Sequence, residues 1–142
     1  MLQTMLMLSV VLHTTGFHPT PFSDDAPKIR QVITNFSLYA DQQDADAMDA
    51  ILDSSYRIVL NRLFGSTEVG FMDKATYLQM LRDKQFGGDR RSVTIYTLDI
   101  NGNNAMVKAT FAGQQMTTTN YLLLAKTEQG HWRIVSDMPT VE

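Results

Sequence analysis

Hydrophobic and polar residues alternate along the last fifty residues of the chain in four successive runs. The four runs are residues 92–100, 105–112, 117–126 and 132–138. Asn101-Gly102 separates the first two and is the residue pair most typical of a two-residue β-hairpin. Turn residues also separate the later runs, at Gly113-Gln114 and at Glu128-Gln129-Gly130. The pattern predicts a four-stranded antiparallel meander.

The first half of the chain has helical periodicity instead. Asp24, Asp25 and Pro27 are typical of a helix start, with acidic residues before a proline in the first turn. The apolar stripe that follows at helical spacing is Ile29, Val32, Ile33, Phe36 and Tyr39. Asp44 is the predicted N-cap of a second, short helix that runs through Leu52.

Residues 56–60 form a predicted short strand, and residues 67–71 a weaker one. Asp73 is the predicted N-cap of a third helix, with Gly87-Gly88 as its end. The predicted order is helix, helix, strand, weak strand, helix, then four strands. Because each helix has one apolar stripe, we expect an α+β fold in which helices cover one face of a strongly curved, mainly antiparallel sheet.

Several segments resemble a known family. They are Phe36-Ser37-Leu38-Tyr39-Ala40, Asp44-Ala45-Asp46-Ala47-Met48, Asp73 to Leu81 and Gly130-His131-Trp132-Arg133-Ile134-Val135. In order and spacing they resemble the nuclear-transport-factor-2-like (NTF2-like) superfamily, of the ketosteroid-isomerase and polyketide-cyclase type. The resemblance is closest to the family named for lumazine binding. It implies a cone-shaped, cystatin-like α+β fold with a pocket at its open end, and commonly a homodimer through the sheet. It does not imply one function, because this fold has many.

We expect one NTF2-like domain over residues 27–142, preceded by an N-terminal extension over residues 1–26. Residues 1–13 are apolar and have the character of a signal-peptide core, yet the first basic residue is Lys28. The alternative is an extension that packs on the domain or on a partner subunit. The run is too short to cross a bilayer. We therefore favour a cytoplasmic protein that does not bind membranes, with export as the alternative if residues 1–20 are a signal segment.

Composition excludes several chemistries. The formal net charge is −3, which argues against a nucleic-acid surface. The chain has no cysteine, so disulfides, thiolate catalysis and cysteine-rich zinc sites are excluded. The three histidines, His13, His18 and His131, are too dispersed to form a metal site. We expect no metal and no cofactor.

Two aspartates are candidate general bases, because a carboxyl group in an apolar pocket has a raised pKa. Asp99 ends a predicted strand before the Asn-Gly turn, where a solvated rim position is the favoured interpretation. Strict alternation places Asp137 on the sheet face opposite Trp132 and Ile134, so an exposed or ion-paired position is favoured there too. If the protein is an enzyme, one of the two should face the pocket.

Residues that combine bulk with a polar or adaptable group are candidates to line the pocket. They are Tyr39, Tyr56, Met80, Asn120 and Trp132. Core packing is the competing interpretation for each aromatic residue, and it is favoured for Trp132.

Residues 117–126 have large apolar side chains on both faces of one predicted strand. One face covers the core, and we expect the other to contact a second subunit. The favoured function is a homodimer that binds a small, partly aromatic ligand. The alternatives are a small isomerase, cyclase or hydratase that uses a pocket carboxylate, and an association module with a filled cone.

Overall fold

The computed structural model describes residues 24–142, so residues 1–23, with the proposed signal segment, His13 and His18, lie outside the described residues. The helices are α1 (Asp25–Gln42), α2 (Ala45–Ile51) and α3 (Lys74–Arg82). The strands are β1 (Leu52–Asn61), β2 (Val69–Asp73), β3 (Ser92–Asn101), β4 (Asn104–Ala112), β5 (Thr117–Lys126) and β6 (Trp132–Val141). The predicted order of elements and the α+β class are confirmed.

All six strands form one curved, open sheet in the order β2-β1-β6-β5-β4-β3. The last four strands pair antiparallel as a meander, and the predicted Asn-Gly hairpin forms with Gly102 at a positive φ of 59°. β1 pairs antiparallel with β2 and parallel with β6. The parallel pairing places β1, from the middle of the chain, beside β6 at its end. The sheet stays open and curves around the helices.

The three helices pack on the concave face of this sheet because each has one apolar stripe. α1 buries Ile29, Ile33, Phe36 and Ala40, which recur at three- and four-residue spacing. The predicted caps form: Asp44 accepts the Ala47 N–H, and Asp73 accepts the Thr76 N–H. Within residues 24–142, no helix has the length and apolar character needed to cross a membrane.

The two largest differences between predicted and observed boundaries are at β1 and α3. β1 begins at Leu52, not at residue 56, because an irregularity between Leu52 and Arg57 lets the chain enter the sheet early. α3 ends at Arg82, five residues before Gly87. Gly87 has another role: with a φ of 80°, it lies where an added Cβ would clash with the Ala40 carbonyl oxygen. A glycine is therefore required where the loop after α3 crosses the end of α1.

A β-bulge interrupts β6. Leu123 is opposite Ser136 and Leu124 is opposite Ile134, so Val135 is an extra residue without a partner in β5. Side chains on a strand alternate between faces, and one extra residue reverses that alternation beyond it. Trp132 and Ile134 therefore share the concave face with Asp137.

Candidate functional site

A cavity of about 240 Å³ lies between the helices and the concave face of the sheet. A water molecule occupies roughly 30 Å³ of liquid, so the cavity has room for several waters. Its apolar lining comes mainly from Phe36, Ile58, Leu60, Leu63, Phe64, Met72, Tyr77, Met80, Phe86, Met116, Pro139 and Val141. Its polar lining comes from Gln85, Asp89, Arg91, Gln115, Thr118, Asn120 and Asp137.

One wall of the cavity is aromatic. The ring of Tyr77 on α3 stacks with Phe36 of α1 at a centroid distance of 6.4 Å, and it also contacts Phe86 at 5.5 Å. Behind Tyr77, the buried ring of Tyr56 on β1 lies 5.8 Å away. These rings pack in offset and tilted geometries, which stabilise the wall and leave π faces and edges beside the cavity.

A buried polar pair forms the opposite wall, on the sheet. The Asn120 Nδ2 donates to both carboxyl oxygens of Asp137, at 2.7 and 3.0 Å. Both side chains are almost fully buried, at 4% and 3% exposure. They come from adjacent strands, β5 and β6, on diagonal positions of the same face. Among the described residues, no basic side chain forms an ion pair with Asp137.

Burial raises the pKa of Asp137 to about 7, because a charged carboxylate loses hydration there. The hydrogen bond from Asn120 and the positive charge of Arg91 oppose this shift but do not cancel it. Burial also raises the pKa of the Tyr56 phenol well above its usual value, and the Asp137 charge adds to that effect. The pKa of Tyr77 is raised for the same two reasons. Both phenols therefore stay protonated, and Asp137 changes its charge near neutral pH.

Arg91 is the basic residue of the cavity lining, but its charge is engaged. Its Nε donates to Asp41 Oδ1 at 2.7 Å, and its terminal nitrogen donates to the Ser37 carbonyl at 3.0 Å. Its guanidinium also lies over the Phe111 ring, 5.5 Å from the centroid. The half-buried pair with Asp41 is neutral overall, so the cavity gains little net positive charge from it.

Asp89 connects two chain segments at the rim of the cavity. Its carboxylate accepts the backbone N–H groups of Gln114, Gln115 and Met116, at 2.9 to 3.2 Å. These bonds hold the pKa of Asp89 below its usual value. The carboxylate is therefore ionised and ties the loop before β3 to the turn between β4 and β5.

Three buried side-chain oxygens in the described part of the chain have no hydrogen-bond partner: Ser37 Oγ, Tyr56 Oη and Asn120 Oδ1. An unpaired buried polar atom costs about 1–3 kcal/mol, so such atoms are uncommon. Asn120 is part of the cavity lining, and the electrostatic influence of Asp137 reaches Tyr56. Two of the three unpaired oxygens, those of Asn120 and Tyr56, thus belong to residues that interact with the Asp137 carboxyl group.

The predicted pocket residues separate into two groups. Met80 and Asn120 lie in the cavity lining, whereas Tyr39, Tyr56 and Trp132 do not. Tyr39 is half-buried at the edge of the α1 stripe, where it packs against the core. Tyr56 is buried behind Tyr77. Trp132 lies at the opposite end of β6 from the cavity, where its Nε1 donates to Asp25 at 3.0 Å.

The favoured interpretation of Asp137 as exposed or ion-paired is wrong, because the Val135 bulge turns it inward. Asp99 is exposed beside the β3–β4 hairpin and lies outside the cavity lining. His131 is exposed in the turn before β6. No group of three metal-ligating side chains occurs within residues 24–142.

Sequence reasoning missed Phe86, Asp89 and Arg91. All three lie in or beside the loop between α3 and β3, where no periodicity predicts which way a side chain points. The nearest signal was Gly87-Gly88, which we interpreted as a helix end. It marks instead the place where this loop approaches α1 closely enough to deliver Arg91 to Asp41.

Residues 24–138 match the family described as "Putative lumazine-binding". The chain belongs to this family. No curated protein matches this chain. A solved NTF2-like protein of unknown function from Silicibacter pomeroyi DSS-3 is 18% identical, with a TM-score of 0.74 over 87% of this chain and 100% of that one.

Other solved structures share the fold of this lumazine-binding-family domain. A protein with a cystatin-like fold from Nostoc punctiforme is 14% identical, with a TM-score of 0.67 over 84% of this chain and 92% of that one. A ketosteroid isomerase-like protein from Erwinia carotovora atroseptica is 12% identical, with a TM-score of 0.66 over 84% of this chain and 98% of that one. The domain thus has an NTF2-like fold, and at these identities the likeness establishes the fold alone.

The buried carboxyl group predicts a specific pH dependence of stability. Because the pKa of Asp137 rises from 3.8 to about 7 on folding, the folded protein holds a proton that the unfolded chain releases between these values. Its contribution to stability is therefore complete below about pH 4, decreases as pH rises and is lost above about pH 7. Replacing Asp137 with Asn removes this slope. We expect the variant to gain about 3 kcal/mol relative to the wild type between pH 5 and pH 8.

Chemical denaturation at both pH values measures this difference. Asp99→Asn is the matched control, since it makes the same substitution at an exposed position on a strand outside the cavity lining. A constant difference between wild type and Asp137→Asn would contradict a raised pKa at Asp137.

Proposed function

We propose that the protein binds a small, partly polar aromatic molecule in the cavity between α1, α3 and the concave sheet. The observation that carries this proposal is the buried Asn120–Asp137 pair opposite an aromatic wall. Convergent polar groups in an otherwise apolar cavity are typical of ligand sites. A fold that needed only a core would be more stable with apolar residues at these two positions.

The size of the cavity narrows the choice of guest. Its volume of about 240 Å³ is below the roughly 300–1,000 Å³ that is typical for drug-sized ligands. A one- or two-ring molecule fits this limit. Lumazine, after which the family is named, is a two-ring heterocycle, so the family name supports a guest of this kind. An association module with a filled cone is less consistent with a cavity of this size.

An acid–base enzyme is the second candidate, and Asp137 supports it. A general base works best when its pKa is close to the working pH, and the pKa of Asp137 is about 7. The Tyr77 phenol lies in the cavity lining, stays protonated and could donate a hydrogen bond to a developing oxyanion. This arrangement is suited to proton removal next to a carbonyl group.

A homodimer is the proposed assembly. Met106, Tyr121, Leu123 and Met138 form an apolar strip on the convex face of the sheet, here called the outer strip, with exposed fractions of 38% to 50%. They are adjacent, because Met106 is opposite Leu123 and Tyr121 is opposite Met138. A second copy would offer the same strip, so the two sheets could cover each other across a two-fold axis.

Ligand binding is tested by thermal and chemical unfolding with a panel of one- and two-ring heterocycles that includes lumazine. A ligand at a hundred times its dissociation constant should add about 2.7 kcal/mol of stability. Thr118→Phe fills the cavity and should abolish this gain. Thr117→Phe adds the same side chain on the opposite face and should preserve it. Stabilisation that persists in Thr118→Phe would place the ligand elsewhere, and no stabilisation by any compound would contradict the proposal.

The enzyme candidate is tested without knowledge of the substrate. Incubating the protein in D₂O with 2-tetralone, an enolisable two-ring ketone, should exchange its α-hydrogens for deuterium faster than buffer alone. Asp137→Asn should remove the acceleration, because the amide cannot accept the proton, while Asp99→Asn retains it. An exchange rate equal to that in buffer would count against proton abstraction by Asp137.

Light scattering tests the dimer at micromolar concentration. We expect the wild type to have twice the mass of one chain, and Tyr121→Glu to be monomeric because it places a charge within the outer strip. Thr34→Glu adds the same charge on the exposed side of α1 and should stay dimeric. A monomeric wild type, or a dimeric Tyr121→Glu, would show that the outer strip is not the interface.

A further inference from the structure

The two buried polar side chains of the cavity lining, Asn120 and Asp137, present acceptor atoms. Asp137 and Asp89 are both carboxylates, and Asn120 uses its donor group on Asp137, which leaves its Oδ1 without a partner. Arg91 is the one basic residue in the lining of this cavity, and its guanidinium is already bound to Asp41 and to the Ser37 carbonyl. The other polar side chains of the lining can donate as well as accept, and they are Gln85, Gln115 and Thr118. The groups that require a donor from the guest are therefore the buried Asp137 carboxylate and Asn120 Oδ1.

The aromatic wall has the complementary property. The faces of Phe36, Tyr77 and Phe86 carry negative electrostatic potential, so they attract a cation as well as an apolar ring. The opposing carboxyl group of Asp137 lies on the sheet side of the same cavity. A flat molecule between the two walls could stack on the rings and direct a donor edge to the sheet.

We infer that the cavity selects an aromatic guest whose polar edge is a cationic N–H donor group, such as an amidinium or an ammonium. The donor edge would bind the Asp137 carboxylate and supply the missing partner of Asn120 Oδ1. This inference rests on the cavity being a ligand site, as proposed above, and adds the charge and hydrogen-bonding character of the ligand. It excludes carboxylates and phosphates as preferred guests.

The affinity of the cavity for a cationic guest should depend on pH. The titratable and charged groups around Asp137 are Tyr56 from β1, Tyr77 from α3, Asp89 from the loop before β3, and Arg91 with its partner Asp41 between the loop and α1. The raised pKa of each phenol keeps it neutral between pH 6 and pH 8, and the lowered pKa of Asp89 keeps it ionised. Asp137 has a pKa of about 7 and changes its charge in this range. A cationic guest needs the ionised form and should therefore bind more tightly as pH rises through about 7.

The charge preference of the cavity is tested with three probes of nearly equal shape. Benzamidine is a cation, benzamide is neutral and benzoate is an anion. Their affinities are measured on the full chain by NMR titration, with the side-chain amide signals of Asn120 as the reporter of the site. We expect benzamidine to bind at least tenfold more tightly than the other two at pH 8. Its affinity should increase about tenfold from pH 6 to pH 8, as the carboxyl group ionises.

Asp137→Asn keeps the shape of the side chain and removes its charge. It should reduce benzamidine affinity at least tenfold and remove the pH dependence. Asp99→Asn should alter neither. Equal binding of all three probes, or tighter binding of benzoate, would overturn the charge preference and leave ligand binding intact. If none of the three shifts the Asn120 signals at millimolar concentration, both this inference and the proposed ligand site are contradicted.

Discussion

The single extra residue in β6 determines what faces the interior of this domain. Without the bulge at Val135, the alternation of the strand would put Asp137 on the convex face, beside the outer strip. With it, Trp132 and Ile134 pack into the apolar core at one end of the strand, and a carboxyl group enters the cavity at the other. The same bulge bends the strand and adds to the curvature that makes the interior a cone.

The bulge in β6 therefore contributes both to the curvature of the sheet and to the polarity of the cavity. The narrow end of the cone is filled by apolar side chains from α1 and the sheet, and Asp25 ties it through bonds to Lys126 and Trp132. The open end is packed less completely and contains the cavity. Its walls are Asn120 and Asp137 on the sheet and the aromatic rings around Tyr77. A buried carboxyl group destabilises the folded state above neutral pH. That penalty supports the proposal that this pair recognises a ligand.

Much of the fold could be predicted because its signals are local. The Asn-Gly hairpin, the caps at Asp44 and Asp73, and the stripe of α1 depend on residues within a few positions of each other. The site depends on contacts that are remote in sequence. Arg91 meets Asp41 across fifty positions, and the parallel pairing of β1 with β6 has no local signature.

The bulge is the clearest example of this limit. Residues 132–138 read as a regular strand, and nothing in their composition indicates that Val135 is skipped in the pairing with β5. Strict alternation then gives the wrong face for Asp137. Met80 and Asn120 were placed in the lining from their positions on α3 and β5, where no bulge intervenes. The wrong face for Asp137 thus follows from one register shift, and the omission of Phe86, Asp89 and Arg91 from one irregular loop.

The central claim is that a carboxyl group with a neutral-range pKa lies inside the cavity. The most direct measurement is an NMR titration that follows the ¹³C signal of the Asp137 carboxyl carbon from pH 3 to pH 9. The account predicts a midpoint near 7, with the Asn120 side-chain amide signals shifting at the same pH. A midpoint near 3.8, the ordinary value for an aspartate, would contradict it.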